Sequence, residues 1–135
     1  MRKNYDVQGV FINTGIGKAF DFIANPENLP KWTKAFSEAN RTGAKMTTPR
    51  GEITISLETV ASKESGSIDW YLTMPDGAVG SAFSRLTPHG AACVYSFVLM
   101  PPPVPVELVE GTLKQQMGML KEELVQLKAI LELRD

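Results

Sequence analysis

Three strand-like runs and one helix-like run carry the side chains best suited to hold a small molecule. In Ser67 to Met74 a period of two puts Ile68, Trp70, Leu72 and Met74 on one face and Asp69, Tyr71 and Thr73 on the other. The first set reads as a concave wall with Trp70 as its aromatic panel, which leaves Asp69 and Tyr71 outward. Phe83 and Arg85 share a face of the next run. On a concave face Arg85 would bind an anionic head group or polarise a carbonyl; on the other it is a solvent-facing cation. Tyr95 shares its face with Cys93, Phe97 and Leu99, where a buried hydroxyl could orient a ligand. In the last run Gln116, Met117 and Leu120 lie on or beside a leucine stripe. A glutamine there must find a partner, in the sheet, in solvent or on a ligand. Met100, Met117 and Met119 supply thioether surface that fits an irregular ligand as readily as an irregular core.

Catalytic groups are harder to find. The single histidine, His89, sits in the turn sequence Thr87-Pro88-His89-Gly90, away from any concave wall. The single cysteine, Cys93, reads as a small buried hydrophobe with no histidine beside it to activate the thiol. One histidine with one cysteine excludes the usual tetrahedral zinc site, and one cysteine excludes an intrachain disulfide. Neither a metal nor a cofactor is expected, and no catalytic residue is identifiable. Glu123 flanks the leucine stripe, either pairing with surface lysines or facing a cavity, and Thr112 is similar.

The elements that must position these groups follow from periodicity. Tyr5 to Ile12 suits a strand, with Asn13, Thr14 and Gly15 supplying turn and cap chemistry. Ile16, Ala19, Phe20 and Ile23 then make one apolar helical face, stopped by Asn25-Pro26. The segment PENLPKWTKAF reads as a second, shorter helix or turn docked by Leu29, Trp32 and Phe36. One further strand is expected near Ser37 to Lys45. Ile53, Ile55 and Leu57 alternate with polar residues as in a half-buried antiparallel strand. Glu64-Ser65-Gly66, Pro75-Asp76-Gly77 and Pro88-His89-Gly90 punctuate a meander whose other strands are Ser67 to Met74, Val79 to Leu86 and Ala91 to Met100. Prolines from Pro101 to Pro105 break the last strand, and Pro105 suits the first turn of a helix. From Val106 onward Val109, Leu113, Met117, Leu120, Leu124, Leu127 and Leu131 step by three or four, a helix of roughly 28 residues and about 42 Å. Gly111 and Gly118 fall nearly opposite that stripe.

Length and charge narrow the function. With 135 residues the chain is expected to form one domain over 1–135. Fourteen Lys+Arg against 15 Asp+Glu argue against a nucleic-acid partner. There is no secretory leader pattern and no apolar run near the roughly 20 residues that span a bilayer, so a cytoplasmic protein without an integral membrane segment is expected.

The order of elements, and above all the stretch VFINTGIGKAFDFIANPENLPKWTKAF, resembles the helix-grip fold of the SRPBCC superfamily. That group includes START lipid-transfer domains, birch-pollen-allergen-like proteins, polyketide cyclase/dehydrases and coenzyme-Q-binding proteins. Gly15-Ile16 stands where the family commonly has Ala-Pro, and Asn25 where it commonly has Asp. The resemblance implies an α+β fold: a curved antiparallel β-sheet wrapped around a long C-terminal α-helix, with two short helices after the first strand. It also implies a cavity between sheet and helix, opening near the short helices, with Trp32 near the entrance. The partner is then a small hydrophobic or aromatic molecule, and Trp32, Trp70, Phe83, Arg85, Tyr95, Phe97, Gln116, Met117 and Leu120 are the expected ligand-binding residues. Two other functions stay open: a polyketide cyclase/dehydrase-like enzyme, which needs Arg85, Tyr95 and Gln116 to converge on one void, and a chaperone-type interaction module. A homodimer through other surfaces is also left open.

Overall fold

A computed structural model describes residues 4–48, 51–101 and 106–133, apart from the side chains of residues 48 and 106–112. Val109, Gly111 and Thr112, and the proline run from 102 to 105, therefore lie outside what is described. The chain starts with β1 (Asp6–Ile12) and turns into α1 (Ile16–Ile23). Gly15, in extended conformation, stands at the helix start without a side-chain cap, and the Asn13 amide donates instead to Glu132 at 2.7 Å. A 3-10 turn (Pro26–Asn28) and a one-turn α2 (Leu29–Trp32) follow. Asn25 caps the 3-10 turn by accepting from the Glu27 amide at 3.1 Å, and Asn28 Nδ2 donates to the Phe22 carbonyl at 2.9 Å. These local bonds hold two proline-containing turns in one shape despite their missing donors.

The remaining strands are β2 (Phe36–Ala39), β3 (Gly43–Thr48), β4 (Gly51–Ser62), β5 (Ser67–Thr73), β6 (Val79–His89) and β7 (Ala92–Leu99), followed by α3 (Val106–Glu132). The single strand expected near Ser37 to Lys45 is thus a hairpin. Asn40 Oδ1 turns it by accepting from the Thr42 and Gly43 amides, at 3.0 and 2.9 Å. An Asx turn of this kind competes with extended pairing, so a polar run that looks like one weak strand folds back on itself.

All seven strands form one antiparallel sheet in the order β1-β7-β6-β5-β4-β3-β2. The chain leaves β1, crosses to the far edge through α1 and α2, then returns strand by strand until β7 pairs with β1. The sheet curls, and its inner face takes Ile12 from β1, Ile55 and Leu57 from β4, Ile68 and Trp70 from β5, Leu86 from β6 and Tyr95 and Phe97 from β7 into the core. Leu120, Leu124, Leu127 and Leu131 of α3 close that core. This is the α+β arrangement of a half-barrel sheet with a long helix laid into it. The expected leucine stripe is buried wherever it is described, and Gly118 is exposed with open space around it.

Helix α3 also manages the free edge of the sheet. Lys128 Nζ donates to the Phe11 carbonyl at 2.7 Å, lies 5.3 Å from the Phe11 ring centroid, and pairs with Glu132 one turn later at 2.6 Å. An edge carbonyl occupied by a lysine is a poor template for another strand. No helix among the described residues is long and apolar enough to cross a membrane.

Candidate functional site

Four of the nine sequence-predicted residues meet as one aromatic chain on the inner wall. Trp32, carried by α2, packs edge-on against Tyr95 with ring centroids 6.3 Å apart. Tyr95 meets Phe97, two residues along β7, at 6.4 Å. Phe97 stacks on Trp70 of β5 at 6.2 Å and 27°. All four are buried. Edge-to-face and offset stacking suit the quadrupoles of these rings, so the wall is stiff as well as apolar.

The sheet makes room for this wall by placing small residues beside it. Besides Leu86, the inward positions of β6 are Ala82 and Ser84: Ala82 stands opposite Trp70, and Ser84 opposite Ile68 on one side and Phe97 on the other. Phe83 and Arg85 consequently point to the outer face, which corrects the placement expected for both. Phe83 packs edge-on against outward Tyr71 at 6.0 Å, and exposed Arg85 donates from Nε to the Ser65 carbonyl at 3.2 Å. The residues that stand beside Trp70 and Phe97 on β6 are thus the small pair, Ala82 and Ser84. Arg85, Tyr95 and Gln116 therefore do not converge on one void.

From α3, Leu120 is buried and Gln116 and Met117 are half-buried. The Met117 carbonyl accepts from Gln8 Nε2 at 2.9 Å, and the same amide nitrogen donates to Asp6 at 2.7 Å. Asp6 and Gln8 were missed by sequence reasoning. Their signal was present: Asp6, Gln8 and Val10 stand two apart from Ile12, so an inward Ile12 brings them to the inner face. His89, at the far end of β6, is exposed and stacks edge-on with Phe11 at 6.0 Å. Cys93 is buried, and desolvation raises its thiol pKa, which keeps it protonated and unreactive.

Four buried polar atoms on or beside the aromatic wall have no hydrogen-bond partner among the described residues: Trp32 Nε1, Thr59 Oγ1, Trp70 Nε1 and Tyr95 Oη. Thr59 of β4 is the cross-strand neighbour of Trp70. Ser84 lies close enough to ease ionisation of Tyr95 slightly; its hydroxyl proton is donated to the Ile68 carbonyl at 2.6 Å, which leaves its oxygen lone pairs as acceptors on the Tyr95 side. Burial dominates and pushes the Tyr95 pKa well up, so the phenol remains a donor. Buried polar groups are nearly always paired, so four orphans gathered along one wall single it out. Beside this wall, Ala24, Pro26, Arg41, Thr59 and Ala61 line a cleft of about 390 Å³ next to the short helices.

Glu123 serves a different purpose. Its carboxylate accepts from the Lys34 amide at 2.6 Å, tying the segment after α2 to α3, while the Lys34 ammonium pairs with Glu122. Burial raises the Glu123 pKa above its ordinary value; the Lys34 and Ala35 amides and the Lys34 charge oppose this, and Glu122 adds to it. A folded pKa above the unfolded one means that the native state binds the proton more tightly. The group's contribution is then fully present below the unfolded pKa and is lost as pH rises through the folded value. The melting temperature of Glu123→Gln relative to wild type should accordingly become more favourable to the variant between pH 4 and pH 7. Thermal melts of both proteins at these two pH values check this, and a flat or reversed difference would remove the assignment.

The architecture matches many solved structures. The chain has the helix-grip fold. The di-domain ARO/CYC protein BexL is similar with a TM-score of 0.72 at 10% identity, over 94% of this chain and 46% of that one. The di-domain ARO/CYC protein StfQ from the steffimycin biosynthetic pathway is similar with a TM-score of 0.67 at 14% identity, over 96% and 50%. The protein XoxI from Bacillus cereus gives 0.68 at 12% identity, over 96% of both chains. The helix-grip chain thus spans about half of each di-domain protein and nearly all of XoxI. No protein-family model and no curated protein matches the sequence. Among the described residues no group of three or more His, Cys, Asp or Glu side chains is placed to hold a metal ion.

Proposed function

We propose that this chain, as one helix-grip unit of the SRPBCC superfamily over residues 1–135, binds a small hydrophobic or aromatic molecule between the inner face of the sheet and α3. One observation carries this reading: the Trp32, Tyr95, Phe97 and Trp70 rings form a continuous buried wall whose polar tips have no partner among the described residues. Such a surface combines large apolar area with a few oriented polar groups, the composition of a small-molecule site. Trp32, Trp70, Tyr95 and Phe97 would form the wall, with Gln116, Met117 and Leu120 facing it from α3 and the cleft at Pro26 and Thr59 as the entrance. The fold shared with ARO/CYC proteins is compatible with this use of the inner face, but fold alone carries no reaction. A cytoplasmic setting suits the buried free thiol.

The test combines native mass spectrometry of freshly purified protein with titration of the neutral fluorophore 1-aminoanthracene. The expected results are a noncovalent adduct or, for empty protein, saturable one-to-one binding that quenches tryptophan emission. Both tryptophans of the chain lie on the wall, so both report on it. Absence of an adduct together with absence of saturable binding would overturn the reading.

A further inference from the structure

The outer face of the sheet carries a patch that the inner wall does not use. Cross-strand partners line up on it as one row: Val60 of β4, Asp69 of β5, Phe83 of β6, Val98 of β7 and Val7 of β1. Val7 is 54% and Val60 48% exposed, and Phe83 and Val98 are half-buried. Tyr71 widens the row by packing edge-on against Phe83 at 6.0 Å. Two residues further along β6, exposed Arg85 stands between Ser67 of β5 and Ser96 of β7. Single apolar residues are ordinary on a surface, but a row that crosses five strands is a contiguous patch of the kind that partners cover.

Charge narrows what can cover it. Asp69 lies half-buried in the row between Val60 and Phe83, and no cation among the described residues pairs with it. Arg85 leans toward the turn before β5, where Nε donates to the Ser65 carbonyl at 3.2 Å, and it too lacks an opposite charge among the described residues. A purely apolar partner, a lipid surface included, would strip the Asp69 carboxylate of water and give no counter-charge in exchange. The partner must bring a cation to Asp69 and an acid to Arg85, and this face itself presents both. Strand spacing and rise put the two residues about 8 Å apart on neighbouring strands. A twofold axis lying in the face, at right angles to the line from Arg85 to Asp69, runs close to Phe83 and Val98. It lays each of these apolar residues on its own counterpart and sets each Arg85 over Asp69 of the other copy, the reciprocal pattern of an isologous dimer. We propose that the outer face of β5, β6 and β7 is a self-complementary surface that pairs two copies of this chain, with Phe83 and Val98 at its centre and two Arg85–Asp69 ion pairs beside them. The sheet curls with this face outward, so only its crest makes contact and the dimer is small and reversible.

Sedimentation velocity tests this across a range of about 5 to 500 µM, where wild type should show a rapid monomer–dimer equilibrium with a Kd of about 50 µM, the strength of a small interface. Arg85→Asp and Asp69→Arg each bring like charges together twice, and each should weaken dimerisation by about tenfold or more. Mixed in equal amounts, the two variants restore both ion pairs in a heterodimer, whose affinity should return to within about threefold of wild type. A folding defect in either variant cannot produce that recovery. Val125→Lys, at an exposed position of α3, should leave the equilibrium unchanged. Monomer at every concentration would overturn the proposal. So would a dimer that both charge reversals leave intact, or a loss that mixing does not repair. Loss of the dimer in Val125→Lys would also overturn it and place the interface on α3. Far-ultraviolet circular dichroism of each variant checks that the sheet is folded.

Discussion

Gly66→Ala is expected to destabilise the protein by about 2 to 5 kcal/mol, since a left-handed backbone and an overpacked contact each cost on the order of 1 to 3. Gly66 closes the turn between β4 and β5 with φ of +77°, a conformation that side chains rarely adopt. A Cβ there would also stand 2.3 Å from the Leu86 carbonyl oxygen, which belongs to backbone and cannot rotate aside. The turn is fixed on both sides. The Gly66 amide donates to the Ser62 carbonyl at 2.8 Å, and its own carbonyl accepts from the Leu86 amide at 2.8 Å. Relieving the clash means parting β6 from this turn and losing that bond. Gly77 provides the control, because its φ is +90° with nothing within 4 Å of the added Cβ. Gly77→Ala should cost only the conformational part, about 1 to 2 kcal/mol. Urea denaturation at pH 7 measures both, and equal costs would show that the Leu86 contact is not decisive.

Leu127→Ala should cost about 2 to 5 kcal/mol, the range for removing a large aliphatic side chain from a packed core. Leu127 is fully buried at the centre of the segment of α3 that closes the sheet. Its neighbours on the stripe, Leu124 and Leu131, are also buried, so little can move in to fill the void. Val125, two residues earlier on the same helix, is 61% exposed. Val125→Ala should fall within about 0.5 kcal/mol of wild type. Denaturant midpoints of the two variants give the comparison directly. Similar losses at both positions would mean that α3 is held by its surface and not by the leucine stripe.

Much of the architecture was legible because it rests on local patterns. The α3 stripe, the inward face of β5 with Trp70 and of β7 with Tyr95 and Phe97, and the turns at Gly66, Gly77 and Gly90 all follow from spacing and residue type. Where a local pattern had two readings, it misled. The run from Phe36 to Thr48 lacks strong alternation, and Asn40 decides for a hairpin through hydrogen bonds to residues two and three positions ahead. The end of β6 was read as turn, yet it continues to His89 against β7. Pro88 fits there because β5 pairs with β6 only as far as Arg85, so the missing amide removes no bond on that side.

The candidate site shows the division most sharply. Sequence alone determined that this chain would lay a leucine-striped helix into an antiparallel meander and put Trp70, Tyr95 and Phe97 on inner faces, because strand and helix periods act over a few residues. Which face of β6 turns inward was decided by tertiary structure: the small residues Ala82 and Ser84, not Phe83 and Arg85, stand beside Trp70 and Phe97 across the strand. The same holds for Thr59, whose place beside Trp70 depends on the β4–β5 register, and for Trp32, which meets Tyr95 only once α2 folds over the sheet. Side-chain volume is balanced between strands that are neighbours in space, and a single strand read alone carries no record of the volume facing it.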